Sequence, residues 1–254
     1  MPVNDELGIR MKENYEMRAR TSLVRRMPVA IRIDGKAFHT FTRGFFKPFD
    51  EILGNAMART MKYLCENIQG CVLGYQQSDE ITLILIDYNK LTSDAWFDYE
   101  VQKMCSIAAS MATMAFNKFF DQEYLDRLAE YGDCNPAHDL ARKKGAMFDA
   151  RCFNIPKEEV CNLIYWRQLD ATRNSIQMVA QANFSHKELQ GLSCNFLQNK
   201  LLIEREVNWN NFETRWKRGV ACKKIEGDWQ IDYEMPILKD KDRQYVDELI
   251  FLEE

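Results

Sequence analysis

The run Ile81–Ile86 constrains the fold of this chain more than any other stretch. Its sequence, ITLILI, is apolar at every position except Thr82, so both faces of a strand formed here would be apolar. A strand that is buried on both faces belongs at the centre of a sheet. The preceding run, 71–77, is also strand-like, and only the short link Ser78-Asp79 separates the two. This pattern predicts a central β-hairpin.

The elements around this hairpin alternate in a recognisable order. The residues 29–34 before it read as a buried strand, and a helix from Asp50 to about residue 69 follows them, with Asp50 as its N-cap. After the hairpin, a helix is expected from Asp94 to Phe120, and then a strand within AMFDARCFNI. Strand, helix, strand, strand, helix, strand is the split βαβ, ferredoxin-like arrangement, and it predicts an α+β fold with an antiparallel sheet.

The rest of the chain adds to this core without a clear linker. The sequence after about residue 156 reads as mainly helical, with a late β segment in RWKRGVACKKI. We therefore expect a single catalytic domain, 1–254, whose C-terminal part, about 156–254, forms a helical and β annex. The N-terminal residues 5–26 are rich in helix formers, and they predict a helix that Pro28 ends.

Composition limits the compartment and the partners. The net charge is −4, which argues against non-specific coating of nucleic acid and leaves open a local basic face. No apolar run reaches 18 residues, so we expect no membrane span, and the N-terminus has no apolar segment typical of a secretion signal. The eight cysteines form no C-x-x-C pair, which is typical of free thiols in a cytoplasmic protein.

Two carboxylates fall at strand ends that the predicted fold brings together. Asp34 ends the first strand and precedes Gly35, and Asp79 lies at the tip of the hairpin. Neighbouring carboxylates form an oxygen site suited to Mg²⁺, and two such ions can clamp the attacking and leaving oxygens of an in-line displacement. Either motif alone is more often an ordinary turn, whereas their joint placement favours the metal site.

The residues after Asp34 suit a triphosphate. The backbone amides of residues 35–39 can form an anion nest, and Lys36, His39 and Lys47 add polar or positive groups. Solvent exposure is an equal alternative for Lys36. Lys47 is the stronger candidate, because it stands just before a helix whose N-terminal dipole favours anions.

Five motifs resemble, in order and spacing, those of the tRNA(His) guanylyltransferase family, which includes guanylyltransferase-like 3′-to-5′ polymerases. The motifs are IRIDGKAFHTFT, FFKPFDE, GYQQSDEITLIL, FDARCFNIP and YWRQLDATRNS, and the resemblance spans about residues 7–224. It implies a polymerase-like palm with a helical annex, a homotetramer, a tRNA partner, and GTP, ATP and other NTPs as nucleotides.

The resemblance also implies roles for particular residues. It implies Asp34, Gly35 and Asp79 as ligands of two Mg²⁺, with Asp34, Asp79 and Glu80 as the catalytic residues. The implied nucleotide contacts are Gly35, Lys36, Ala37, Phe38, His39, Lys47, Ser78 and Lys103. It further implies that Arg151, in FDAR, contacts RNA phosphate.

The implied reaction is attack by the 3′-OH of a nucleotide on an activated 5′ end of tRNA. The family's eukaryotic members carry His-Ile-Asn-Asn-Leu-Tyr-Asn after Trp-Arg-Gln, whereas this chain has TRNSIQM, which retains only Asn174 of the polar set. This departure favours template-dependent repair of 5′-truncated tRNA, as in bacterial or archaeal-type members, over dedicated guanylate addition to tRNA(His).

Basic clusters give further candidates for RNA contact. These clusters lie within residues 18–26, 142–144 and 215–224. In the last one, Arg215 and Lys217 flank Trp216, whose ring could stack on a base. A solvated face is the alternative for each cluster. Arg167 is a candidate too, although the segment 166–168 could instead pack a helix. Competing functions are another palm-fold nucleotidyltransferase, a nucleotide cyclase, or a non-catalytic RNA-binding protein.

Overall fold

A six-stranded antiparallel sheet organises the protein, whose computed structural model describes residues 5–252. Of the predicted domain 1–254, residues 1–4 and 253–254 lie outside the described part. The strands are β1 (Val29–Gly35), β2 (Cys71–Gln77), β3 (Glu80–Leu85), β4 (Phe148–Asn154), β5 (Val220–Ile225) and β6 (Asp228–Asp232). Their order across the sheet is β4-β1-β3-β2-β5-β6.

Helices cover both faces of this sheet. They are α1 (Glu6–Met11), α2 (Phe38–Phe41), α3 (Glu51–Asn67), α4 (Val101–Tyr131), α5 (Pro136–Lys144), α6 (Lys157–Asn183), α7 (His186–Leu189), α8 (Cys194–Arg205), α9 (Thr214–Arg218) and α10 (Gln244–Ile250). Within residues 5–252, no helix combines the length and the apolar character that a membrane crossing requires.

The first four strands confirm the predicted split βαβ core. They occur in the order β4-β1-β3-β2, and every neighbouring pair is antiparallel. Strand β3 is buried at all its positions, as the apolar run of Ile81–Ile86 predicts for a central strand. Strand β5 extends the sheet from β2, so backbone pairing joins the C-terminal part to the core.

The two faces of the sheet bury separate apolar clusters. On one face, Ile31 and Leu83 pack with residues of α3 and α4. On the other face, Ala30 and Ile84 pack with residues of α6 and α10. Because neighbouring residues of a strand point to opposite faces, Asp34 shares the α6 side with Ala30.

Several predicted boundaries are wrong for identifiable reasons. The helix expected from Asp94 begins only at Val101, because Phe97–Tyr99 have positive φ angles that an α-helix cannot contain, and it continues to Tyr131. In RWKRGVACKKI, Gly219 with φ of 83° separates a short helix from β5. The N-terminal helix is broken, since α1 passes into a π turn and then a 3₁₀ turn by Ala19.

A buried carboxylate ties the N-terminal segment to the sheet end that lies farthest from Asp79. Asp87 follows β3, and its side chain is fully buried. It accepts hydrogen bonds from Arg25 Nε at 2.7 Å and from Arg26 N at 2.8 Å. The Arg25 guanidinium is therefore paired within the protein, and that of Arg26 donates through Nη1 to the carbonyl of Asp87 at 3.2 Å.

We expect Asp87→Ala to lower the free energy of unfolding by about 2 kcal/mol, because it removes a fully buried carboxylate and leaves Arg25 Nε and Arg26 N without their charged acceptor. In a domain of this size the melting temperature should fall by roughly 4–8 °C. Differential scanning calorimetry measures the change, and Asp94→Ala, at an exposed site nearby, is the matched control. Equal melting temperatures for both variants would contradict the assigned role of Asp87.

Candidate active site

Strand register brings the predicted carboxylates to one corner of the sheet. Asp34 of β1 lies directly opposite Glu80 of β3, and Asp79 precedes Glu80 at the hairpin tip. The backbone N–H of Gly35 donates to the carbonyl of Asp79 at 3.1 Å, which closes the corner. The hairpin and the end of β1 therefore lie side by side, as the sequence predicts.

This corner concentrates negative charge. Asp34 has an acid on each neighbouring strand, Glu80 on one side and Asp149 on the other. Burial and the charges of Glu80 and Asp149 raise the pKa of the Asp34 carboxyl. Burial also raises the pKa of Asp79, with a further contribution from the charge of Asp34.

Among residues 5–252, neither Asp34 nor Asp79 has an ion-pair partner. The nearby Arg32 pairs with Glu80 and Arg151 with Asp149, and the charges of these arginines offset only part of the rise in the Asp34 pKa. Asp79 Oδ1 accepts one hydrogen bond, from Ser78 Oγ at 3.1 Å. Uncompensated carboxylates that share a corner favour a bound cation.

The donor set fits Mg²⁺. It consists of oxygens alone: the carboxylates of Asp34 and Asp79 and the nearby carbonyl of Gly35. In the described part of the chain, no three His, Cys, Asp or Glu side chains form a metal-binding group. Water and substrate oxygens would complete the coordination, as is usual for Mg²⁺ at phosphate-binding sites.

Glu80 differs from its two neighbours because arginines hold it. It pairs with Arg32, and Arg167 Nε lies 2.6 Å from its Oε1. The glutamate and the Arg167 side chain are both almost fully buried. Glu80 therefore stabilises the corner through its ion pairs, and the charges of Arg32 and Arg167 already neutralise its own. This geometry is that of a positioning residue.

Arg167 is also held on its other side. Its Nη2 donates to Asp170 at 2.8 Å, one turn along α6. The sequence left RNA contact and helix packing open for this residue, and the buried ion pairs correspond to packing. Gln168 is buried too, and it donates to the carbonyl of Pro236 at 2.8 Å. Trp166 of the same segment is about half exposed.

A cleft of about 490 Å³ opens beside the carboxylate corner. Most of the predicted nucleotide contacts share its wall. These are Gly35, Ala37, Phe38, His39, Lys47 and Ser78, together with Asp79. The side chains of His39 and Lys47 are exposed at the cleft and can meet a ligand.

The loop after Asp34 contributes fewer amides than the sequence predicts. The N–H of Gly35 is bonded to Asp79, and that of Lys36 donates to the carbonyl of Met147 at 2.8 Å. In the described structure, the amides of residues 37–39 donate to no carbonyl, because Ala37 is the N-cap of α2 and residues 38 and 39 begin this helix. The anion nest is therefore limited to these three amides.

Phe38 and Gly35 have a packing role here. The Phe38 ring is buried, with its centroid 5.2 Å from Phe148 and 5.5 Å from Phe116. A Cβ at Gly35 would overlap this ring, so the glycine allows Phe38 to anchor the loop. Phe38 can therefore reach a nucleotide mainly through its backbone.

Lys103 is not part of this corner. Thr113 of α4 lies near the corner, because its Oγ1 accepts from the N–H of Phe148, the strand partner of Gly35. Lys103 precedes Thr113 on the same helix by ten residues (113 − 103). Ten helical residues span about 15 Å. The Lys103 ammonium instead lies 4.8 Å from the centre of the Phe97 ring.

The predicted RNA contacts are distributed over several surfaces. Arg151 is exposed on the edge strand β4, on the same side as Asp34. Arg215 packs 4.0 Å from the Trp216 ring centre and donates to Asn55 at 3.1 Å. Lys217 donates to the carbonyl of Asn210 at 2.7 Å.

A smaller pocket of about 90 Å³ adjoins the cleft, and sequence reasoning missed most of its wall. The residues common to both cavities are Asp50, Leu53, Ser78 and Met178. Asn174 and Arg215 also line the smaller pocket. Met178 of α6 and Leu53 of α3 have no local pattern that marks them as site residues, because the two helices are far apart in sequence and reach these cavities together only in the folded chain.

Comparisons with known proteins identify relatives over nearly the whole chain. The family model described as "Thg1: tRNAHis guanylyltransferase" matches residues 9–156, more than half of the sequence. A bacterial Thg1-like protein solved in complex with ATP is 46% identical and superposes with a TM-score of 0.84, covering 97% of this chain and 100% of that one. A second, in complex with GTP, is 40% identical with a TM-score of 0.81, covering 98% and 100%.

A curated relative from Saccharomyces cerevisiae, a tRNA(His) guanylyltransferase, is 28% identical over 75% of this chain and 80% of its own length. Together with the family match and the two bacterial structures, it confirms the resemblance read from the five motifs. The chain belongs to the tRNA(His) guanylyltransferase (Thg1) family.

Proposed function

We propose that this protein is a nucleotidyltransferase that adds nucleotides to the 5′ end of tRNA in the 3′-to-5′ direction. Template-dependent repair of 5′-truncated tRNA is the main activity, and guanylate addition to tRNA(His) is a second one. The observation that carries this proposal is the uncompensated pair Asp34 and Asp79 beside a cleft lined by Lys47. Family membership supplies the reaction class.

Two Mg²⁺ ions are the proposed cofactors, held by Asp34, Asp79 and the carbonyl of Gly35. When bound, they would neutralise the carboxylates and stabilise charge on transferring phosphate oxygens. Glu80 keeps the hairpin in place through its arginine partners. No protein nucleophile is required, so the residues act by positioning and electrostatics.

The nucleotide is proposed to bind along the cleft. Lys47 and His39 would meet the phosphates, with Ser78 and the amides of residues 37–39 as further donors. The bacterial structures in complex with ATP and GTP make these two nucleotides the first candidates. Lys36, which is exposed beside Gly35, stays a proposed contact, and Lys103 stays one as well, although its ammonium packs on Phe97 away from the carboxylate corner.

The tRNA is proposed to approach from the open β4 edge. Arg151 lies there on the same side as Asp34, and the half-exposed Trp166 offers a ring for stacking. Arg215 and Lys217 remain proposed RNA contacts near the smaller pocket. A contact by Arg167 would require it to leave Glu80, so we assign it the supporting role.

We further propose one catalytic domain that assembles as a homotetramer in the cytoplasm. The residues of α1 and the turns after it are all unburied, and Leu7, Ile9 and Tyr15 are 60%, 51% and 68% exposed. Exposed apolar side chains on a segment with no buried residues are typical of an interface. All eight cysteines are free, which suits a reducing compartment.

Replacing Leu7 and Ile9 together by Glu should dissociate the tetramer, because charged side chains cannot be buried without partners. Sedimentation velocity should give four protomer masses for the wild type and smaller species for the variant. Lys12→Glu, at an exposed position of the adjoining turn, is the control. A monomeric wild type would contradict the proposed assembly.

A tRNA that lacks its first 5′ nucleotide, labelled at its 3′ end, should lengthen when NTP and Mg²⁺ are present. We expect the nucleotide complementary to the opposite strand to be preferred at least roughly tenfold, a difference of about 1.4 kcal/mol. Gel analysis with 5′ monophosphate and 5′ triphosphate substrates, and with tRNA(His), measures the preference.

The competing functions give different results in that assay. NTP consumption without RNA growth would indicate a cyclase or another small-molecule nucleotidyltransferase. RNA binding without any NTP turnover would indicate a non-catalytic relative. Either result contradicts the proposed repair activity.

Asp79→Asn should lose at least roughly a thousandfold in rate, because metal clamping supplies several kcal/mol of transition-state stabilisation. The same change should raise stability. Folding raises the pKa of this buried carboxyl, so ionising it costs free energy as pH rises above the unfolded value of about 4. At neutral pH the neutral isostere should gain about 1 kcal/mol.

Calorimetry and the extension assay together test this trade-off, with Asp126→Asn on the exposed side of α4 as the control. The stability gain should shrink towards acidic pH, where the wild-type carboxyl is protonated. Mg²⁺ with a non-hydrolysable triphosphate should raise the melting temperature of the wild type and of Asp126→Asn more than that of Asp79→Asn. An active Asp79→Asn variant would contradict the proposed mechanism.

A further inference from the structure

Asp50 connects three elements at the wall of the nucleotide cleft. Its Oδ1 accepts from the N–H of Leu53 at 3.0 Å and so caps α3. Its Oδ2 accepts from the N–H of Phe46 at 3.1 Å, next to Lys47. The same oxygen lies 2.7 Å from Nε2 of His138, on α5. One carboxylate therefore ties a helix start, the Lys47 loop and a second helix.

His138 is an unusual group to find in the core. Its side chain is fully buried, and its ring lies 4.5 Å from that of Phe45, centre to centre. Within residues 5–252 its Nδ1 has no hydrogen-bond partner. Asp50 is thus its one polar contact in the described structure, and Nε2 must carry the hydrogen that it donates. Nothing in the proposed chemistry uses this imidazole directly.

The helix that carries His138 is fixed on both sides. Arg142 Nε donates to Asp121 of α4 at 2.8 Å, which holds α5 to the core. Asn135 Nδ2 donates to the carbonyl of Gly44 at 2.7 Å, which holds the start of α5 to the loop before Lys47. Helix α5 therefore acts as a rigid support for residues 44–50.

The hydrogen bonds to Asp50 also determine whether its negative charge faces a ligand in the cleft. A carboxylate at the wall of a triphosphate site would repel the phosphates if its lone pairs faced the cleft. Here the Asp50 side chain is 3% exposed, and its oxygens accept from two amides and from His138. The acceptors are occupied and turned towards the protein.

We propose that His138 is a positioning residue for the nucleotide site. Through Asp50 it fixes the loop of residues 45–48 and so aims the Lys47 ammonium at the triphosphate. This assignment rests on the proposed function of the cleft. It predicts that loss of the Nε2 donor weakens nucleotide binding, whereas the identity of the ring matters little.

His138→Phe and His138→Gln separate these two properties. Phenylalanine keeps an aromatic ring among Phe45 and its neighbours but cannot donate to Asp50. The glutamine amide reaches about the position of Nε2 and can donate. Isothermal titration with Mg²⁺ and a non-hydrolysable ATP analogue should show roughly tenfold weaker binding for Phe, about 1.4 kcal/mol, and binding within about threefold of wild type for Gln. KM for NTP should follow the same order, with kcat nearly constant.

A double-variant cycle tests the route through Lys47. If His138 acts by aiming Lys47, then His138→Phe should weaken binding by less than about twofold in a Lys47→Met background, because coupled residues are not additive. Asp87→Ala is the control for lost stability, since it should lower the melting temperature without changing nucleotide affinity. Should His138→Phe fail to fold, His138→Met removes the same donor with a more adaptable side chain.

The outcomes separate the two proposals. Equal affinity for wild type and His138→Phe, or equal loss in His138→Gln and His138→Phe, overturns the positioning role and leaves the cleft assignment standing. Wild-type protein that binds no triphosphate overturns both. The positioning role is supported if triphosphate affinity falls in His138→Phe and recovers in His138→Gln. It also requires that His138→Phe causes no further loss of affinity in the Lys47→Met background.

Discussion

Burial of the Asp34 and Asp79 carboxylates at one corner of the sheet, among other acidic side chains, is the constraint on which the site depends. The β1–β3 register and the tight hairpin force these carboxylates together, and no basic side chain of the described chain neutralises them. Burial first, and then the like charges of neighbouring acids, raise the pKa of both carboxyls, so keeping them ionised costs free energy. A fold that maintains such a pair gives up stability, and the natural compensation is a bound cation together with an anionic substrate.

The surrounding charges are arranged to keep this pair uncompensated. Arg32 and Arg167 both bind Glu80, and Arg167 also pairs with Asp170. Positive charge that could meet a ligand is placed across the cleft, on Lys47. The loop of Lys47 is held in turn by Asp50 and α5, so the two walls of the cleft are fixed by separate networks.

The sequence predicts those parts of the site that depend on residues close together in the chain. The two-residue period and the short hairpin link are enough to place Asp34 near Asp79, because register follows from the turn. The partners of Glu80 and Asp50 are different. Arg167 lies 87 residues from Glu80, and His138 lies 88 residues from Asp50, so only tertiary packing reveals either pair. The late start of α4 similarly follows from backbone angles that no composition signal marks.

The most direct measurement is a crystal structure with Mn²⁺ in place of Mg²⁺ and a non-hydrolysable triphosphate, with the metal located by anomalous scattering. Metal peaks are expected about 2.1 Å from carboxylate oxygens of Asp34 and Asp79, with the phosphates between them and Lys47. A triphosphate bound away from this cleft, or metal peaks that touch neither carboxylate, would contradict this expectation.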